Sequence, residues 1–413
     1  MLYRKLINWI RDRYDQVINS IAFLPALIAL GFLLLSWLMI MFDFSKSGQS
    51  IKHNLGWLSL KDATTARSII SAVVAGIISL SVFSFSMVMI VLNQAASQMS
   101  NRILDNLIGN RFQQLVLGIY IGTIVFALSL LSTIRNIDSG VQVPALSTYM
   151  VIALTIFDIF LFIYFLHYIT QSVKYETIIH RIFKTTCESL QRDCKLFYEP
   201  IAPEQLDGVI VKIPYSGMFQ GFDKNHLVKF CEEKNIKVQF HYATGAFVLG
   251  GANLMTVYTP DGQLTESLVD QIINMINIHR GEPIERCYYF GFTQLSEVAV
   301  KALSPGINDP ATACQSLRAL AELFLFRLHH FPDPYILDEN HVPVIFTTER
   351  SFDQLLEQCV YPIWDYGKND RIVQNEMKHL FDQFPVTKQT PALNRINEEI
   401  VSVLRKRSAE TFN

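Results

Sequence analysis

The sequence predicts an α-helical membrane domain of four transmembrane helices, followed by an α+β domain made of a small β-rich module and then helices. Three observations carry this. Of the 413 residues, 50% are hydrophobic and only 17% are charged. The charges are uneven: 18 of the 72 Asp, Glu, Lys and Arg lie in residues 1–173, and 54 lie in 174–413. The charge-poor part contains four apolar stretches, each near or above the roughly 20 residues a helix needs to cross a bilayer. This composition excludes a disordered chain. A net charge of −2 gives no basic field for a nucleic-acid partner.

Residues 1–20 come first. Leu2, Leu6, Ile10, Tyr14 and Val17 recur at helical spacing, with Arg4, Lys5, Arg11 and Arg13 between them. That is the pattern of an interfacial amphipathic helix on anionic lipid, with Trp9 as an anchor; the lesser alternative is the first turns of the first span. Residues 21–172 hold the spans: 21–42, the uncharged stretch between Arg67 and Arg102, the one between Arg111 and Arg135, and about 145–169. Each must be helical, because lipid offers no partner to a free backbone amide. Four spans place both termini on one side. With the N-terminus inside, the inner segments hold Arg4, Lys5, Arg11, Arg13, Arg102, Arg111, Lys174, Arg181 and Lys184, and the outer loops hold Lys46, Lys52, Lys61, Arg67 and Arg135. That bias predicts cytoplasmic N- and C-termini. The start shows no signal-peptide cleavage pattern, so the first span is expected to stay as an anchor. All six cysteines (Cys187, Cys194, Cys231, Cys287, Cys314, Cys359) follow the spans without framework spacing, as suits a reduced compartment.

The second span is the most polar. At about 100° per residue, Ser68, Ala72, Ala75, Ser79, Ser86, Asn93 and Ser97 share one strip. One reading makes Ser79, Ser86, Asn93 and Ser97 pore-lining residues in a homo-oligomer; the other makes the strip a close helix–helix contact. Asp158 is an intramembrane carboxylate in the fourth span, with Thr155 near it on the same face. Ionised there, it costs at least about 2.5–3.5 kcal/mol, so it faces a cavity or a partner. It suits cation binding, proton relay, a protonated donor, or a structural hydrogen bond. His167 falls at the inner interface.

A helical stalk is expected at 173–204, continuing the fourth span from 171 to about 197 and stopped by Pro200 and Pro203. Residues 205–262 form the small β-rich module. Its strands are 208–214 (GVIVKIP), 237–242, 247–249 and 254–258, with a short helix after Asp223 and a turn at Thr259-Pro260-Asp261-Gly262. Residues 263–413 read as mainly helical, over 264–279, 292–303, 309–330, 351–364, 369–384 and 391–407. A strand at 342–347 is placed to rejoin the sheet.

The most punctuated segment is KALSPGINDPAT at 301–312. Ser304, Gly306, Asn308 and Asp309 form either a ligand loop beside a helix N-terminus or a rigid corner, with Asp309 as N-cap and Pro310 at the first helical position. His329, His330, Asp333, Asp338, Glu339 and His341 cluster in sequence, but their spacing matches no metal-site pattern, and a solvated loop accounts for them. No metal and no cofactor is expected. The sequence contains no P-loop, G-x-G-x-x-G, H-E-x-x-H, C-x-x-C or G-x-S-x-G, so no catalytic residue is assigned.

Residues 82–107, VFSFSMVMIVLNQAASQMSNRILDNL, with LGIYIGTIVFALSLLSTIR after them, resemble the core of a bacterial family of predicted membrane proteins, domain-of-unknown-function family 2254. Gly245-Ala-Phe-Val is similar to that family's Gly-acidic-Phe-Val turn, with Ala246 in place of the acidic residue. FGFTQLSEVAVKALSPGINDPAT at 290–312 resembles its most characteristic signature. The resemblance implies a multi-pass inner-membrane protein with a cytoplasmic C-terminal domain, and brings no substrate, cofactor or catalytic residue. The combined expectation is a homo-oligomeric channel or passive transport protein for ions or small solutes, gated through its cytoplasmic domain. Its partners would be the lipid bilayer, further copies of itself, and a small ligand or ion. The rivals are a membrane-anchored sensor or scaffold, and a membrane enzyme.

Overall fold

The structure, a computed structural model, describes residues 22–54, 62–98, 111–134, 143–196, 208–279, 282–385 and 390–411, with backbone only at 51–54, 95–98 and 408–411. The interfacial helix expected at 1–20 lies outside these residues, as do 99–110 and 197–207. The chain divides into two compact units, the second formed mainly by the residues from Tyr175 on.

The first unit contains α1 (Phe23–Phe44), α2 (Lys46–Asn54), α3 (Ala63–Gln98), α4 (Arg111–Thr133) and α5 (Ala145–Ser172). All but α2 are long and apolar enough to cross a membrane, with mean hydropathy of 2.3 or 2.4. Helix α4 is central. It packs along α1 and against α5, and its buried Phe126, Ala127 and Leu130 meet Ala66 and Ile70 of α3. The close approach of α1 depends on Gly118 and Gly122, one turn apart on α4. A Cβ at Gly118 would lie 2.6 Å from Cδ1 of Ile28, and one at Gly122 would lie 2.7 Å from the Phe32 ring. This is the small-xxx-small packing that lets membrane helices meet without a hydrophobic driving force.

Helix ends in an apolar setting need partners for their free amides. Asp62 caps α3 through Thr64 N (3.0 Å) and Thr65 N (2.9 Å). Arg67 Nη2 donates to Ile134 O just beyond α4 (3.1 Å). Asp43, at the end of α1 and fully buried, caps α5 from a distance: it accepts from Leu146 N (3.3 Å), Ser147 N (2.7 Å) and Ser147 Oγ (2.7 Å). Replacing Asp43 by Ala strands one buried and one partly buried amide and is expected to cost about 1–3 kcal/mol. Thermal unfolding in detergent checks this, with a midpoint several degrees below the parent and Asp43→Asn in between.

The fourth span does not run on into the second unit's first helix. Helix α5 ends at Ser172, Lys174 N turns back to Gln171 O (3.3 Å), and α6 (Tyr175–Asp193) starts afresh. Nor is α6 a free stalk. Its buried Ile178, Ile179, Ile182, Thr186 and Leu190 form one face, which packs against α9 (Tyr288–Ala302) and α10 (Pro310–His329).

Around that trio stand α11 (Phe352–Gly367), α12 (Arg371–Phe381) and α13 (Pro391–Thr411). Ser351 and Gln354 form a reciprocal capping box on α11, and Asp370 caps α12.

The β-rich part holds β2 (Gly208–Lys212), β3 (Gly217–Phe222), α7 (Lys224–Lys234), β4 (Lys237–Ala243), β5 (Phe247–Val248), β6 (Asn253–Tyr258), α8 (Glu266–Ile273) and β7 (Ile276–His279). The helix expected over 264–279 is therefore two elements: apolar residues at helical spacing end at Ile273, and Ile276 and Ile278 then alternate as a strand. Later in the chain come β8 (Phe331–Pro332), β9 (Tyr335–Leu337) and β10 (Pro343–Thr348); β8 pairs with β1 (Cys194–Lys195).

The main sheet has the order β2-β6-β4-β10-β9, antiparallel except where β10 runs parallel to β4. A second sheet has the order β5-β3-β7. Phe219, Phe240, Leu227, Val257 and Ile345 lie in their common core.

Candidate functional site

The membrane unit contains two buried carboxylates in opposite circumstances. Asp43 is saturated by the α5 amides and Ser147. Asp158, on α5, is fully buried, and neither of its oxygens makes a hydrogen bond. The Thr123 hydroxyl of α4 lies beside it. One turn away on α4 the Tyr120 phenol neighbours Ser84 of α3 and feels the Asp158 charge. Ser84, Tyr120 and Thr123 are all buried, and none of their hydroxyl oxygens makes a hydrogen bond of normal geometry. Three helices thus bring one carboxyl and three hydroxyls to one level of the bundle. In an apolar setting each unpaired group costs on the order of 1–3 kcal/mol.

Ser84 and Tyr120 also line a cavity of 180 Å³, along with Gln113, Gln114 and the apolar side chains of Val88 and Phe165. From Tyr120 to Gln113, at the start of α4, is about 10 Å of helix rise. The cavity therefore extends along about two turns of α4 beside the cluster, and most of its walls are apolar. Chemically, the cluster suits a proton held on the carboxyl, or a monovalent cation held by a carboxylate and neutral hydroxyls. Calcium or magnesium draws more oxygens, usually with several charges. Among the described residues no group of three or more His, Cys, Asp and Glu is placed to hold a metal ion.

Of the residues picked out by sequence, only Asp158 belongs to this cluster. Thr155, its expected neighbour, bonds instead to Val151 O of its own helix (2.7 Å). Among the described residues Ser79, Ser86 and Asn93 are exposed on α3. The hydroxyl of Ser79 returns to Ala75 O (3.0 Å) and that of Ser86 to Val82 O (2.9 Å). The Ser97 side chain lies outside the described residues.

Ser304, Gly306, Asn308 and Asp309 turn the corner from α9 to α10. Ser304 Oγ donates to Lys301 O (2.6 Å), Asn308 takes a left-handed φ of 51°, and Asp309 accepts from Thr312 N (3.1 Å) and Thr312 Oγ1 (2.6 Å). The Ser304 and Asp309 side chains are thus occupied in shaping the corner. His329 and His330 each pair a ring nitrogen with a carbonyl of their own helix, Leu325 O and Phe326 O.

Sequence reading missed Ser84, Tyr120 and Thr123. The signal of two of them was present, since Tyr120 and Thr123 are the polar residues in the middle of the third span, between Gln114 and Ser129.

The model of the family described as Predicted membrane protein (DUF2254) matches residues 18–383. The uncharacterized protein MT1328 of Mycobacterium tuberculosis (strain CDC 1551 / Oshkosh) is 25% identical over 328 residues, which is 76% of this chain and 63% of the relative. The uncharacterized protein Mb1321c of Mycobacterium bovis (strain ATCC BAA-935 / AF2122/97) matches to the same extent. The chain thus spans less than two thirds of the length of these relatives. No solved structure matches.

Proposed function

Because the chain belongs to this family of predicted membrane proteins, we propose that its four spans carry an ion: the protein is a channel or passive transporter for protons or a monovalent cation, with Asp158 on the path. The supporting observation is the buried, unpaired Asp158 carboxyl, closed in by hydroxyls from two neighbouring helices beside a cavity. An anchor has no use for such a group, and intramembrane carboxylates that lack a partner belong to ion and proton pathways. Satisfaction of the polar groups favours this route over the exposed face of α3, whose serines are already bonded to their own helix. In this reading Ser79, Ser86 and Asn93 form the contact between copies of a homo-oligomer. The Lys and Arg bias supports a C-terminal domain in the cytoplasm of a bacterial cell, and in this reading that domain gates the path.

Purified protein in liposomes, under proton, sodium and potassium gradients, tests the reading. Asp158→Asn is expected to lower flux at least about tenfold, a cost of about 1.4 kcal/mol in barrier, and Tyr120→Phe to lower it less. If folded Asp158→Asn conducts like the parent, the path does not pass Asp158. A silent parent under every gradient would favour a second reading, a membrane-anchored sensor, which the charged cleft described next supports.

A further inference from the structure

The C-terminal unit contains a cleft of 250 Å³ where the end of α6, the start of α7, the segment before α9 and the end of β10 meet. Its charges are not balanced. Arg192 grips Asp193 through Nε and Nη2 (both 2.7 Å) and also donates to Glu285 O (2.6 Å). Asp333 is held by Lys195 (2.6 Å). Lys224, Arg286 and Arg350 then remain, with no carboxylate at ion-pair distance among the described residues. Arg286 donates only to the neutral Gln220 Oε1 (3.2 Å). Arg350 lies over the Tyr289 ring (3.6 Å) and donates to Thr244 O.

The position of Arg350 is built in. Buried Arg327 donates to its backbone carbonyl (3.1 Å) and to His330 O (2.9 Å). Gly245, with φ +84°, brings the 243–246 turn against Cys287 and Tyr289, where a Cβ would lie 3.2 Å from Sγ and 3.0 Å from the ring. Besides the paired Asp193 and Asp333, a third carboxyl lines the cleft: Glu349 is partly buried and has no hydrogen-bond partner among the described residues. Burial pushes it up to about 7 against the pull of Arg327 and Arg350, so near neutrality it is present substantially as a donor.

Across Tyr289 and Arg350 the cleft adjoins a wider groove of 760 Å³, walled by Met218, Ala246, Phe290 and the exposed ring of Phe247, with Ser216, Thr293 and the carboxylate of Glu282 as its polar lining.

We propose that this paired cleft and groove form a binding site for a small organic phosphate monoester. The phosphate would lie among Lys224, Arg286 and Arg350, and the organic body would lie along Phe247. Two guanidiniums and an ammonium suit a dianion with several acceptor oxygens, and the protonated carboxyl supplies one more donor. The groove beyond has the apolar walls and exposed aromatic ring that hold the remainder of such a ligand. The inference is independent of ion transport, because it is read out by binding alone.

Calorimetry on the full-length protein in detergent tests it with three probes: adenosine 5′-monophosphate, inorganic phosphate and dihexanoyl phosphatidic acid. Adenosine monophosphate is expected to bind more tightly than inorganic phosphate. Arg286→Ala and Lys224→Ala, both at exposed rim positions, should each weaken it about tenfold; Lys229→Ala, on α7, should not. Phe247→Ala should weaken the nucleotide several-fold and leave inorganic phosphate unchanged. Tighter binding of the phosphatidic acid, lost in the same rim variants, would support the site and assign the phosphate to a lipid headgroup. No binding of any probe by folded protein, or binding indifferent to both rim variants, overturns the proposal.

Discussion

Glu349→Gln is expected to make the protein more stable than the parent above pH 7 and equal to it below about pH 4.5. Burial raises the Glu349 carboxyl from 4.5 to about 7; Arg327 and Arg350 oppose the rise, and Asp193 adds slightly to it. Between those values the folded chain keeps a proton that the unfolded chain has released, so stability falls as pH rises. The deficit is complete above pH 7 and amounts to about 3 kcal/mol, because each tenfold change in proton affinity is worth about 1.4 kcal/mol. Glutamine fills the same space, donates a hydrogen bond and does not titrate. Unfolding midpoints for both proteins between pH 4 and 9 give the difference curve, in which all other titrations cancel. Parallel curves across that range would show that Glu349 ionises as freely in the fold as outside it.

Gly291→Ala should be the most damaging single methyl in the C-terminal unit. The added carbon would lie 1.8 Å from Thr186 Oγ1 and 2.8 Å from Thr186 Cβ, where α6 crosses α9. Thr186 has little room to give: it is fully buried, and its hydroxyl is bonded to Ile182 O (2.6 Å). The helices must move apart, at a cost of about 3 kcal/mol, the upper end for overpacking a core. Exchanging the pair, with Thr186→Gly added to Gly291→Ala, should recover most of this, less about 1 kcal/mol for a glycine inside a helix. Denaturant unfolding of the three variants separates the outcomes. A double variant no better than Gly291→Ala would place the damage elsewhere than in this contact.

The parts of this molecule that read directly from sequence are those governed by local rules. Four apolar runs gave four helices, the Asp309-Pro310 pair capped α10 as its residue types require, and Asp223 capped α7. Two boundaries failed for want of a local marker. No proline or glycine separates Ser172 from Tyr175, so the break between α5 and α6 left no trace, and Ile276–His279 is too short an alternation to stand apart from the helix before it. Gly118 and Gly122 were legible as a spacing, yet which helix they admit is decided by tertiary packing.

The same holds for the sites. Asp158 announces itself as a carboxylate in an apolar run, but its neighbours Ser84, Tyr120 and Thr123 come from two other helices. Lys224, Arg286, Glu349 and Arg350 are dispersed along the second unit and look like ordinary surface charge until the fold gathers them.

The parallel pairing of β10 with β4 has a consequence for the order of assembly. Ile345 lies beside Val238, and about a hundred residues of helix-rich chain come between them, a separation that makes this pairing slow to close. During synthesis from the N-terminus, strand β4 therefore waits with an open edge of unpaired amides and carbonyls, the kind of surface on which chains stick to one another. The β-rich segment is not a module that matures first and receives helices later. It becomes a finished sheet only after α9 and α10 have been made, so a ribosome stalled between Ala243 and Thr348 leaves a nascent chain in need of a chaperone.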